Sequence, residues 1–123
     1  MARILIVEDN RENRDLMAYL LRHFGHEVEE AVDGVDGLAK AQESHHDLIV
    51  LDLQMPGLDG YEVLSRVRAD AQLAPTPVVA VTAFAMANDR ERIIDAGFDD
   101  YISKPINPRT FAELIGARVG SDP

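Results

Sequence analysis

Five short apolar runs, each followed by a segment of helical spacing, constrain this chain more than any other feature. Three runs, at 4–7, 48–51 and 78–81, are apolar at every position and rich in β-branched residues. Weaker ones lie at Glu27–Ala31 and Asp100–Ser103. A strand apolar on both faces suits a parallel sheet covered by helices on each side. The first helical segment follows the capping candidate Asn10, places Met17, Leu20, Leu21 and Phe24 on one face, and stops at Gly25. The second covers 35–43 with Leu38 and Ala39 inward, and the third follows Asp59-Gly60 and carries Val63, Leu64 and Val67. The fourth, 87–96, buries Ile93 and Ile94 and ends at Gly97. The fifth, 108–119, carries Phe111, Leu114 and Ile115, with Pro108 tolerated in its first turn.

Five β–α units in series with right-handed crossovers predict an α/β fold. The expected form is a flavodoxin-like three-layer sandwich: five helices around a five-stranded parallel sheet of order 2-1-3-4-5. Periodicity favours α/β clearly over a helical bundle or a β-sandwich, but does not by itself select that strand order. The 123 residues allow one domain with one core, drawn here over 1–119 with a tail at 120–123.

Charge and composition remove whole classes of function. Twelve basic residues against 22 acidic ones give a net charge of −10, which repels phosphate backbones and anionic lipid. Neither nucleic acid nor a membrane is expected as a partner. The absence of cysteine excludes disulfides, thiolate metal sites and cysteine nucleophiles. The apolar run at 4–7 meets Glu8-Asp9 too soon for a signal-peptide core. The stretch 78–87 is about ten residues, too short to span a bilayer. A cytoplasmic location is the expectation.

In open α/β sheets ligands bind beyond the carboxyl ends of the strands. Glu8 and Asp9 follow the first strong run, Asp52 the second and Thr82 the third, while Lys104 follows the last strand. An acidic pair is ordinary in so acidic a chain, and Glu8-Asp9 also suits a helix start. Four strand ends directed at one crevice are harder to dismiss. Carboxylates about 4 Å apart repel by about 4 kcal/mol at an effective dielectric near 20. Raised pKa values, Lys104 or a bound cation must relieve this. Oxygen donors with no cysteine and no nearby histidine select a hard divalent ion, Mg²⁺ before Mn²⁺ or Ca²⁺. A carboxylate beside such an ion can attack phosphorus, and Lys104 with the Thr82 hydroxyl can hold the transferred oxygens.

Rival ligands fit less well. A nucleotide or flavin phosphate wants a glycine-rich loop after the first strand, where this chain has Glu8-Asp9-Asn10-Arg11-Glu12. A magnesium-dependent phosphohydrolase commonly carries a second aspartate two residues past the nucleophile, and here that position is Gln54. No helix-turn-helix or basic region remains for DNA. His45-His46 precede the third strand and so belong on the opposite edge; they, His23 and His26 are expected at the surface.

The pieces Ile4-Leu5-Ile6-Val7-Glu8-Asp9-Asn10, Leu51-Asp52-Leu53-Gln54-Met55-Pro56-Gly57, Val81-Thr82-Ala83 and Tyr101-Ile102-Ser103-Lys104-Pro105 resemble the receiver domains of two-component response regulators. Order and spacing agree over essentially the whole chain. The resemblance implies that Asp52 accepts a phosphoryl group from a sensor histidine kinase or a histidine phosphotransfer protein. Asp9, Asp52 and the backbone carbonyl of Gln54 would bind Mg²⁺, with Glu8 acting mainly through water. Lys104 and Thr82 would contact the phosphoryl oxygens, and Tyr101 would swing inward as Thr82 moves. A cis Lys104–Pro105 bond is implied, as is an effect of Gln54 and Phe84 on acyl-phosphate lifetime.

The resulting expectation is a phosphorylation-controlled interaction switch, not an enzyme with a separate substrate. Its downstream protein would dock on the fourth helix, fifth strand and fifth helix, with Phe84, Ala85 and Met86 as candidate contacts. Burial in the core explains Phe84 equally well, and Tyr101 reads equally as an ordinary core tyrosine. The alternative function is a receiver-fold adaptor that binds partners without phosphorylation. Such proteins usually lack part of the acid–lysine set that this chain retains.

Overall fold

The computed structural model describes residues 2–83 and 86–119. Strands β1 (Arg3–Val7), β2 (Glu27–Ala31), β3 (Leu48–Asp52), β4 (Val78–Thr82) and β5 (Asp100–Ser103) alternate with helices α1 (Arg11–His23), α2 (Gly34–Glu43), α3 (Gly60–Ala69), α4 (Ala87–Ala96) and α5 (Pro108–Val119). All neighbouring strands pair in parallel, in the order β2-β1-β3-β4-β5. This is the expected flavodoxin-like sandwich. The two weaker runs, β2 and β5, form its edges.

Side chains alternate across the sheet because the strand period is two. Ile4, Ile6, Val50, Val79 and Val81 face Met17 and Leu21 of α1 and Phe111 and Ile115 of α5. Leu5, Val7, Ile49, Leu51 and Ala80 face Ala41 of α2, Val63, Leu64 and Val67 of α3 and Ile93 of α4. Each fully buried large aliphatic or aromatic side chain contributes about 1.5–3 kcal/mol. Helix starts are fixed by side chains that accept from the first turn: Asn10 from Asn13, Asp33 from Asp36 and Asp59 from Glu62. Gly97 ends α4 in the left-handed conformation, at φ 112°. The Lys104–Pro105 bond is cis. Among the described residues no helix is long and apolar enough to cross a membrane.

The inward faces differ from expectation at three places. Ile93 is buried, but Ile94 is 49% exposed, since neighbours on a helix point about 100° apart and only one meets the sheet. In α2, Leu38 packs half-buried against the core as expected, but Ala39 is exposed, because Gly37 and Ala41 form the rest of the face that meets the strands. Phe24 lies past the end of α1 and is 59% exposed, its ring edge-on to His23.

Two histidines also depart from the surface assignment. His45 and His23 are exposed, whereas His46 and His26 are buried. Each buried ring has a polar partner from another strand or terminus. His46 Nε2 lies 2.8 Å from Glu29 Oε1, and His26 Nδ1 accepts from the Ala2 N–H at 3.2 Å.

Gly60 sets how closely α3 approaches β3. A Cβ there would lie 2.5 Å from the Asp52 carbonyl oxygen and 2.8 Å from Leu53 Cα, and neither backbone atom can yield. Gly60→Ala is therefore expected to cost about 1–3 kcal/mol. Gly116, in α5 with open space around it, is expected to gain about 0.5–1 kcal/mol as alanine. Urea denaturation of both variants checks the contrast; equal midpoints would remove the packing argument.

His26 supplies a pH dependence. It accepts a hydrogen bond and is neutral, and burial pushes its pKa below the usual 6.5. The unfolded chain takes up a proton near pH 6.5 that the fold resists. Its contribution is thus present above that pH and lost as pH falls below it. Wild type should lose stability faster than His26→Gln between about pH 7 and 5.5, by at most about 1.4 kcal/mol per pH unit. Parallel stability curves for the two proteins would refute this.

Candidate functional site

A parallel sheet places every strand's carboxyl end on one edge, and the expected residues meet there. Glu8 and Asp9 follow β1, Asp52 closes β3, Thr82 closes β4, and Lys104 follows β5. Val7 pairs with Leu51, so Glu8 and Asp52 are the next residues on adjacent strands. Thr82 pairs with Ser103, which delivers Lys104 to the same edge. From this edge α1 turns to one face of the sheet and α3 to the other, leaving a crevice between β1 and β3.

Carboxylate oxygens of Glu8, Asp9 and Asp52 all lie within 4.8 Å of one another. Like charges at that spacing repel by about 3.5 kcal/mol at an effective dielectric near 20. Asp9 is exposed, whereas the Glu8 and Asp52 side chains are fully buried. Lys104 Nζ stands between the buried pair, 3.2 Å from Asp52 Oδ2 and 3.5 Å from Glu8 Oε1. One ammonium against three carboxylates leaves a formal charge of −2 when all are ionised. Burial, helped by the neighbouring Asp52, pushes the Glu8 pKa up to about 8, against the opposing pull of the Asn10 amide and Lys104.

Glu8 Oε2 accepts from the Asn10 N–H at 3.1 Å, but among the described residues Glu8 Oε1 accepts no hydrogen bond. A buried oxygen whose sole positive neighbour among the described residues is an ammonium 3.5 Å away and shared with Asp52, and which faces two other carboxylates, is a position a hard cation would fill. The all-oxygen donor set fits Mg²⁺ chemistry, with Asp9 on the solvent side where the ion could keep its waters.

A second network joins β3 to β4. The Gln54 N–H donates to Asp52 Oδ1 at 3.1 Å, closing a tight turn after the strand. That turn sends the Gln54 side chain toward β4, where Nε2 donates to Thr82 Oγ1 at 3.1 Å and Oε1 accepts from the Ala83 N–H at 3.3 Å. Tyr101 is half-buried on β5, with the Arg90 guanidinium of α4 5.8 Å from its ring centre. Met86 is 75% exposed; Phe84 and Ala85 lie outside the described residues.

One contributor escapes the sequence reading. Arg14 Nη1 donates to the Glu8 carbonyl at 2.9 Å, and its Nε lies 3.7 Å from Glu30 Oε1, tying the acidic loop to β2. An arginine one turn into α1 carries no local sign of this. The resemblance marks Gln54 for its backbone carbonyl and for acyl-phosphate lifetime; the contact of its side chain with β4 is added by the structure.

The family model for the response regulator receiver domain matches residues 4–116. The chain belongs to the receiver family. This receiver is 43% identical over 117 residues to the polar-differentiation response regulator DivK of Brucella ovis, covering 95% of each chain. Among solved structures it resembles the chemotaxis response regulator CheY4 of Vibrio cholerae, with a TM-score of 0.91 and 32% identity over 96% of this chain and 98% of that one. It also resembles the receiver domain of the sensor histidine kinase PA1611 of Pseudomonas aeruginosa, with a TM-score of 0.88 and 33% identity over 98% of each chain. That structure holds a magnesium ion coordinated in its active site cleft. Receivers act in two-component signalling with histidine kinases or phosphotransfer proteins, and are not enzymes in the usual sense.

Addition of Mg²⁺ should stabilise the folded receiver, by about 1.4 kcal/mol at ten times its Kd. Asp9→Ala, at an exposed position, should fold normally and lose most of that gain. Thermal melts with and without Mg²⁺ decide this. An equal gain in both proteins would remove Asp9 from the ligand set.

Proposed function

We propose that this receiver takes a phosphoryl group onto Asp52 from a phosphohistidine donor and uses it to switch protein–protein contacts. The observation that carries the reading is the buried Asp52 carboxylate, 3.2 Å from Lys104 and beside a Glu8 oxygen that accepts no hydrogen bond among the described residues. One Asp52 oxygen attacks phosphorus as the P–N bond to histidine breaks, and the histidine nitrogen leaves with the electron pair. Hydrolysis reverses the modification: water adds to phosphorus, the aspartyl O–P bond breaks, and the carboxylate returns with inorganic phosphate.

Asp9, Asp52 and the Gln54 carbonyl would hold Mg²⁺, with Glu8 acting through water. When bound, the ion supplies charge neutralisation for the phosphoryl oxygens. Lys104 steadies the acceptor carboxylate and the transferred group, and the Thr82 hydroxyl donates to a phosphoryl oxygen. The new group carries about −1.5 to −2 charge. Movement of Thr82 toward it would let Tyr101 turn inward and change the α4–β5–α5 face offered to a downstream protein. The domain is assigned to residues 1–119, acting in the cytoplasm. The tail at 120–123 lies outside the described residues.

Intact-mass analysis after incubation with acetyl phosphate tests the chemistry. One added phosphoryl group is expected in wild type with Mg²⁺, and none without the ion or in Asp52→Ala. If a histidine phosphodonor protein also leaves wild type unmodified, the phosphorylation-independent adaptor becomes the better reading.

A further inference from the structure

We infer that the Gln54 side chain is a built-in competitor for the phosphoryl oxygens, occupying donors at the end of β4 until an anion displaces it. This rests on the phosphoacceptor role of Asp52 but adds a residue and a direction of effect to it. The amide bridges two loops. Its Oε1 accepts from the Ala83 N–H at 3.3 Å and lies 3.5 Å from Thr82 Oγ1, while its Nε2 donates to Thr82 Oγ1 at 3.1 Å.

An amide oxygen and a phosphoryl oxygen make the same demand on a donor. Each takes a backbone N–H or hydroxyl proton along a lone pair. The donors engaged by Gln54 belong to the strand end beside Asp52, and the Gln54 backbone N–H itself lies on Asp52 Oδ1. An anion built on Asp52 that recruits the Ala83 N–H must therefore break its contact to Gln54 Oε1, and one that takes the Thr82 hydroxyl proton must displace that hydroxyl's 3.5 Å contact to the same oxygen. The side chain itself is exposed, so its removal leaves no cavity and exposes the freed donors to water. The effect concerns equilibrium affinity for a phosphoryl group and is separate from the rate at which that group is hydrolysed.

Two variants isolate the amide. Gln54→Met keeps the length and bulk without hydrogen-bonding groups, and Gln54→Ala removes both. Beryllofluoride with saturating Mg²⁺, titrated by fluorescence or calorimetry, reports affinity for a phosphoryl-like group without turnover. Both variants are expected to bind it about fivefold more tightly, the factor for one hydrogen bond of ordinary net strength. Ala83 N–H exchange should also quicken in both variants before ligand is added. Affinity within twofold of wild type, or weaker, would overturn the competitor role. Tighter binding by Gln54→Ala with Gln54→Met like wild type would also overturn it, by assigning the effect to bulk. Wild type that binds no better than Asp52→Ala would instead overturn the phosphoacceptor reading, and this inference with it.

Discussion

One ammonium serves two buried carboxylates, and the architecture is arranged to make that possible. Glu8 and Asp52 have no exposed side-chain surface, and Lys104 reaches both from 3.5 and 3.2 Å. Burying charge is costly unless it is paired and hydrogen-bonded. The pairing joins residues 52 positions apart, so no local structure supplies it. A parallel sheet does, by setting the carboxyl ends of β1, β3, β4 and β5 along one edge. The β1–β3 register puts the acids side by side, and the β4–β5 register delivers the lysine. Gly60 then lets α3 close down on β3, where any larger residue would strike the Asp52 carbonyl.

The parts of this arrangement legible in the sequence are those that depend on backbone periodicity. Runs apolar at consecutive positions had to be strands buried on both faces, and the residue after each run had to lie on one edge. The acids, Thr82 and Lys104 were therefore visible as a set. What escaped depends on rotation and register. Apolarity marks both Ile93 and Ile94, but only packing decides which of two neighbours meets the sheet. His26 and His46 read as surface groups because their partners, the Ala2 amide and Glu29, come from elsewhere in the chain. The contact from Gln54 to Thr82 spans 28 positions and escaped for the same reason.

The acidic loop is held before any ligand arrives. Asn10 caps α1 with its side chain while its N–H binds Glu8 Oε2, so one residue fixes both the helix start and the acid's orientation. Arg14, a turn further on, grips the Glu8 carbonyl and reaches Glu30 on β2. Such outer contacts limit the freedom of the donor set, which favours one coordination geometry over a floppy anionic patch. Glu8 Oε1, which has the long contact to Lys104 but accepts no hydrogen bond among the described residues, is thus what remains of an otherwise satisfied network.

The proposed switching would impose a quantitative demand on this site. Moving a two-state equilibrium from 1:99 to 99:1 takes about 5.5 kcal/mol of differential stabilisation. On the proposed reading, contacts made by Lys104 and Thr82 to the phosphoryl group count toward that sum only as far as they exceed what those groups already have. Lys104 already holds two carboxylates, and Thr82 already bonds to Gln54. Each replaced hydrogen bond subtracts about 1 kcal/mol from the gain. The larger part must then come from charge that the unmodified site leaves unbalanced, where an added ion and an added phosphoryl group are stabilised together. On the proposed reading, a receiver built this way would resist charge-neutral ligands and respond to an anion held against Asp52, because an anion at that position can recruit the lysine, the strand-end donors and a cation at once.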